Sequence, residues 1–273
     1  MQFKAFTIAA LVASAAAKQR CAAPAPTEQQ IEASRQMKIQ EDNYAAVAGE
    51  SMHIQATINT NVYWHVIASA RTVAAGWLSN ATLDAQLDVL NEAYAPHGIS
   101  FNDAGRDWTI NSNWAQDGAE LAMKKALRKG TYKDVNVYFV PTLDAFGYAY
   151  LPDSVSTGSN AFYRDGCTIL SSTVPGGSET NFNLGYTVVH EVGHWLGLLH
   201  TFEGGCSGSG DMVSDTPAER SQASGCPVGR DTCSGGGVDP IHNYMDYSDD
   251  PCYEEFTAGQ QTRMYSQWNT YRA

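Results

Sequence analysis

Residues 190–200 read HEVGHWLGLLH. His190 and His194 lie four positions apart, so on an α-helix, with about 100° and 1.5 Å per residue, both imidazoles leave one face a turn apart. That is the geometry of a two-histidine clamp on one metal ion. On a continuing helix His200 would stand about 9 Å beyond His194 and roughly 120° around the axis, out of reach of the same ion. Gly197 sits midway, and glycine is the residue that takes a left-handed backbone, ends a helix and turns the chain back. With that turn, His200 becomes a third ligand.

Three neutral imidazoles leave a tetrahedral Zn²⁺ one open position for water, the arrangement of a catalytic site and not of a closed structural one. Glu191 lies next to one ligand and a helical turn before the other, where its carboxylate reaches the water as general base. Against this stands a core helix with incidental histidines. A bare HExxH fixes only three positions, but the longer HExxHxxGxxH gathers three of the chain's seven histidines in one window, which favours zinc. The extended motif resembles that of the metzincin metallopeptidases, whose second hallmark is a methionine-containing turn.

The 273 residues suffice for one catalytic domain with export and leader segments. The first 17 residues read as a secretory signal peptide: Lys4, the apolar run AFTIAALVA, then Ala15, Ala16 and Ala17. No other apolar run approaches the roughly 20 residues of a membrane span, so a secreted protein is expected. Residues 18–51, rich in Ala, Gln, Glu and Pro, hold too little apolar material for a core and read as a leader or loosely docked pro-segment. The catalytic domain is expected over 52–273. Net charge is −12, and since residues 1–50 carry five charges of each sign, the imbalance belongs to the catalytic portion. Such a domain repels phosphate backbones, which argues against nucleic acid. No oligomerisation signal appears, and a monomer is expected.

NVYWHVIA (61–68) alternates Val62, Trp64 and Val66 and predicts a strand, with His65 a surface or sheet histidine rather than a ligand. Ser79 and Asn80 stand where a helix N-cap belongs, followed by Leu83, Leu87, Leu90 and Tyr94 at amphipathic spacing as far as Pro96 and Gly98. Asn80 also opens the sequon Asn80-Ala81-Thr82, an acceptor for glycosylation. Further strands are read at Ile99 and Phe101, at 135–139 and at 166–172, with helices over 118–129 and 257–271, the latter capped by Thr257. The zinc helix is apolar on most sides, as a buried central helix should be. The fold expected is α+β: a twisted mixed sheet with two packed helices, one of them the zinc helix, above an irregular, disulfide-bonded lower part.

YMDYSDDPCYEEFTAGQQ (244–261) resembles the pappalysin-like branch of the metzincins, in particular the secreted fungal metalloproteases. The resemblance runs from about residue 58 to the end. It implies that Met245 is the turn methionine and that Tyr247 lies near the metal, helping to hold the oxyanion; packing under the site is the alternative for Tyr247. It also implies calcium in the loop of Asp211, Asp215 and Thr216, where carboxylates and carbonyls can supply the oxygens; Asp215 could equally cap a local turn before Pro217. Of three possible pairings of the loop cysteines, it implies Cys206 with Cys233 and Cys226 with Cys252. A second zinc site on these cysteines lacks the C-x-x-C pair.

QRCAAPAP (19–26) resembles the arginine-cysteine-proline switch of metzincin pro-segments, with Ala22 where the usual switch has glycine. In that reading Cys21 fills the open zinc position, and Arg20 lowers the thiol pKa and anchors the segment to an acidic cleft. A Cys21–Cys167 disulfide and an inert thiol are the alternatives. The function read from these parts is a secreted zinc endopeptidase acting on proteins or peptides: Glu191 takes the water proton and returns one to the leaving amine. A non-catalytic zinc-stabilised binding domain would need no base beside its ligands, and a zinc hydrolase of non-peptide amides or esters is disfavoured by the methionine turn.

Overall fold

The computed structural model describes residues 18–48 and 57–273. The signal peptide read over 1–17 and the domain boundary near residue 52 lie outside the described residues. In chain order the elements are β1 (Gln19–Cys21), α1 (Glu28–Ala48), β2 (Ile58–Ala68), α2 (Asn80–Tyr94), β3 (Ile99–Ile110), α3 (Glu120–Leu127), β4 (Val135–Val140), β5 (Ala145–Ala149), α4 (Asn160–Arg164), β6 (Cys167–Leu170), α5 (Tyr186–Trp195) and α6 (Ala258–Tyr271).

One six-stranded mixed sheet runs in the order β1-β5-β6-β4-β2-β3. Strands β2, β3, β4 and β6 are parallel; β5 runs antiparallel to β6, and β1 parallel to β5. Every residue of β4 is buried, because a parallel strand between two neighbours with both faces covered has no polar side to show. On one face α2 and α5 pack over Val62, Trp64, Val66, Val137 and Phe139. Met123 of α3 joins Tyr138 and Phe146 on the other. Helix α2 starts where Ser79 Oγ accepts the Thr82 N–H at 3.1 Å, and α6 starts on a capping box of Thr257 and Gln260.

The mixed α+β sheet follows the sequence reading, with three differences. Strand β3 extends to Ile110 because it keeps parallel register with β2 from Ile58↔Ile99 to Ala68↔Ile110. Strand β5 was not foreseen: both its faces are buried, so it lacks the alternation that marks a half-exposed strand. The segment read as a leader is not loosely docked. Its β1 extends the sheet, Ala22 N–H donates to Gly147 O at 2.9 Å, and Arg20, Cys21, Ser34 and Met37 are buried. Composition tests whether a segment can build its own core, not whether it can lengthen an existing sheet. His65 is buried in the sheet between Asp107 (2.8 Å) and Asn136 (2.9 Å), while Asn80 is exposed at the start of α2.

Between α5 and α6 the chain is irregular and is held by the disulfides Cys206–Cys233 and Cys226–Cys252. Arg230 lies between the buried carboxylates of Glu219 (2.6 Å) and Asp239 (2.8 Å). Thr216 Oγ1 donates to Asp211 at 2.7 Å. Asp215 accepts from Thr257 Oγ1 at 2.7 Å and Gly259 N–H at 2.8 Å, serving the N-terminus of α6.

Helix α5 ends as its sequence requires. Gly197 N–H donates to His194 O and Leu198 N–H to Gly193 O, a Schellman arrangement with Gly197 at φ 94°. A Cβ there would also come within 2.4 Å of the Gln267 side chain. Gly197→Ala should therefore lower the free energy of unfolding by about 1–3 kcal/mol in a denaturant titration. A wild-type midpoint would show that the turn tolerates a side chain.

Candidate active site

Helix α5 presents His190 and His194 from one face, and the turn at Gly197 brings His200 to them. His194 Nε2 and His200 Nε2 stand 3.0 Å apart. One ligand atom from each histidine, together with Cys21 Sγ, lies within 4.8 Å of the others. The orientation of two rings is fixed from behind: His190 Nδ1 donates to Tyr244 O at 2.7 Å, and His194 Nδ1 to Leu198 O at 2.8 Å. Their protons are thereby held on Nδ1, leaving the Nε2 lone pairs to converge. Burial, with the neighbouring imidazoles, pushes His190 and His200 well below the ordinary histidine range. Burial lowers His194 to about 4.

These residues fit a metal ion. His190 Nε2 is buried and has no hydrogen-bond partner, an arrangement that disfavours a protein without a cation there. Three neutral nitrogens and one sulfur are the donor set of a tetrahedral zinc site. Cys226, His242 and Cys252 also cluster, but both of those sulfurs belong to the Cys226–Cys252 disulfide.

Glu191, fully buried, receives the Cys21 thiol on Oε2 at 3.6 Å. Burial lifts its carboxyl to about 8, opposed by the Cys21 hydrogen bond and the Arg20 charge. Tyr247 donates to Cys21 O at 3.2 Å and stands 3.2 Å from His200 Nε2. Met245 is fully buried beneath the histidines, where a Cβ on Gly193 would come within 2.4 Å of its Sδ. Cys21 and Cys167 are both buried free thiols, so no disulfide joins them.

Arg20 does not lower the Cys21 thiol. Burial and the Glu191 carboxylate push that thiol well up, because the Arg20 guanidinium turns away, into a pocket of its own. There it meets the buried Asp250 carboxylate at 2.9 Å, with the Phe182 ring 5.0 Å and the Tyr253 ring 4.7 Å from its central carbon. The anchoring expected of Arg20 is present; the partner, Asp250, was not foreseen. Gly147 and the carbonyls of Tyr244 and Leu198 also escaped the sequence. A Cβ on Gly147 would meet the Glu191 carboxylate at 2.8 Å, so a strand residue without a side chain gives Glu191 its room. A glycine inside a strand is a mark of close approach, but that signal was hidden because β5 itself was not foreseen.

Three converging imidazoles beside a buried carboxylate, above a buried methionine, are the arrangement of a metallopeptidase of the metzincin kind, and comparison with known proteins agrees. The family model described as pregnancy-associated plasma protein-A, peptidase M43, matches residues 124–269. An extracellular metalloprotease of Colletotrichum graminicola is 61% identical over the whole of this chain and 99% of its own. One from Neurospora crassa is 56% identical, again over the whole chain and 99% of its own. Among solved structures, mirolysin in complex with a compound designated 9 superposes with a TM-score of 0.67 at 26% identity, covering 80% of this chain and 94% of that one. A promirolysin mutant from Tannerella forsythia gives 0.66 at 26%, covering 92% and 94%. The chain belongs to the peptidase M43 family and is a metalloendopeptidase.

Proposed function

We propose that the protein is an exported zinc endopeptidase, made latent by residues 18–51, with Glu191 as general base and a preference for a basic side chain beside the bond it cuts. The observation that carries the reading is the position of one atom. Cys21 Sγ lies within 4.8 Å of all three histidine nitrogens and 3.6 Å from Glu191 Oε2, so a water in its place would reach the metal ligands and the base together.

His190, His194 and His200 would hold the ion. Zinc, when bound, supplies a Lewis acid that polarises the scissile carbonyl and acidifies water. Glu191 accepts the proton of the attacking water at Oε2 and delivers it to the departing amine. Tyr247, its phenol aimed at the same position, donates to the oxygen that gains negative charge, a contribution of about 2.7–4 kcal/mol for one such donor. Glu191→Ala should retain zinc and lose about 10²–10⁴-fold in kcat on casein. Zinc-loaded, leader-free wild type that cuts no protein would overturn the reading.

Latency rests on Cys21 occupying that position. Support comes from the fourth donor atom it adds, and from the coverage of this chain, which rises from 80% with mirolysin to 92% with promirolysin. Full-length Cys21→Ser should be active from the moment of synthesis while wild type is not; equal activities would reject the thiol's role.

Substrate preference follows from the Arg20 pocket. A carboxylate beneath two aromatic rings complements arginine or lysine. Asp250→Asn should lower kcat/KM for arginine-containing peptides by about 30-fold or more relative to neutral ones, and an unchanged ratio would remove Asp250 from selectivity. Calcium enters the proposal at the Asp211–Thr216 loop, where burial pushes the Asp211 carboxyl up to about 7 and a cation would hold it ionised. Extracellular action is supported by the names of the relatives.

A further inference from the structure

The leader touches the domain at two places far apart in its own sequence. At the first, Arg20 and Cys21 fill the cleft. At the second, α1 lies along α6, on a surface that takes no part in the reaction. There Glu41 grips Arg263 with both oxygens, Oε1 at 3.1 Å from Nε and Oε2 at 2.9 Å from Nη2. Arg263 is buried, 1% exposed, and its Nη2 also donates to Met212 O at 2.7 Å. Around this pair Ser214 Oγ donates to Asp42 at 2.7 Å and accepts from Lys38, Gln267 Nε2 reaches Ser34 at 3.4 Å, and Met37 is buried. Residues 22–27, which join the two contacts, are exposed or half-exposed.

We propose that Arg263 and its surroundings on α6 form a second leader-binding surface, independent of the cleft, which retains the leader as a non-covalent partner after the chain is cut behind α1. The inference rests on reading residues 18–51 as an inhibitory leader.

Departure of α1 gives up a bidentate, largely desolvated charge pair, which makes it costly. Helix α1 does little more than dock, since most of its residues are exposed. While it stays on α6, it holds residues 19–21 at high effective concentration over the cleft, so neither contact has to be strong alone. One cut behind Ala48 leaves both contacts intact. Release requires a second cut, and the accessible place for it is residues 22–27, which uncouples a short N-terminal piece from the helix.

The experiment places the recognition sequence of a site-specific protease at residues 50–55 of the full chain and cuts there. Two readouts are peptide hydrolysis against protein concentration, and co-elution of the leader on gel filtration in a Glu191→Ala background that prevents self-digestion. Cut wild type should remain latent at micromolar concentration with the leader co-eluting. Glu41→Gln, which lies on the leader and leaves the catalytic domain untouched, should weaken leader retention about 30-fold or more, so that activity appears on modest dilution. Glu32→Gln, on an exposed part of the same helix, should behave as wild type and controls for helix stability. Cut wild type that is fully active at once and separates from its leader overturns the proposal, as does Glu41→Gln retention equal to wild type. An uncut chain already fully active would instead sink the leader reading itself.

Discussion

Two backbone carbonyls, Tyr244 O and Leu198 O, aim the centre of this protein. Each accepts the Nδ1–H of a histidine on α5, which fixes where the Nε2 lone pair points. The helix supplies spacing, but a histidine on a helix still has rotamers to choose from, and a ligand set gains affinity when its rings are locked beforehand. The two carbonyls come from different origins. Leu198 O is set by the left-handed turn at Gly197. Tyr244 O is set by the segment carrying Met245, itself pinned by Tyr244 N–H to Glu255 O at 3.0 Å and by Met245 N–H to the Asn243 side chain at 3.0 Å. Asn243 is in turn paired with Gln260, the capping residue of α6. The irregular part of the chain, with its two disulfides, thus reaches the histidines through hydrogen bonds rather than through regular structure.

The other constraint is the sheet edge. Strand β5 runs against the direction of its neighbour β6, and its outer side is free to receive another strand. Exposed edges recruit extended peptides through main-chain hydrogen bonds, and β1 does this here. Gly147 sits in that edge directly over Glu191, so whatever pairs with β5 is carried past the carboxylate and the histidines. Geometry for peptide binding and geometry for chemistry meet at a single glycine.

What could be read from the sequence divides along the same lines. The extended histidine motif, the turn at Gly197, the caps at Ser79 and Thr257, and strands β2 and β4 were legible because each depends on local spacing or local backbone preference. Asp250, Gly147 and the tight seating of residues 19–37 were not. Asp250 meets Arg20 across 230 positions of chain, and one acidic residue among several in YSDDPCYEE carries no mark of which will be buried. Strand β5 hid for a physical reason as well: a strand buried on both faces loses the alternation that distinguishes it. Long-range charge pairing and edge addition are properties of the assembled fold, so no window of sequence contains them.

Arg20 shows how close such a reading can come while missing the cause. An arginine beside a cysteine invites the idea that it acidifies the thiol. Neighbours in an extended strand, however, point their side chains to opposite sides. Cys21 therefore faces the histidines and Glu191, where burial and a carboxylate oppose ionisation, while Arg20 is delivered to Asp250 on the far side. A metal ion held by the three histidines would deprotonate a sulfur so placed outright, with no part for the arginine. The guanidinium instead secures the strand through Asp250 and two aromatic rings. Under the proposed function, latency and selectivity then share one carboxylate: a leader that blocks the cleft must present the same cation that a good substrate presents, and Asp250 cannot be altered for one without the other.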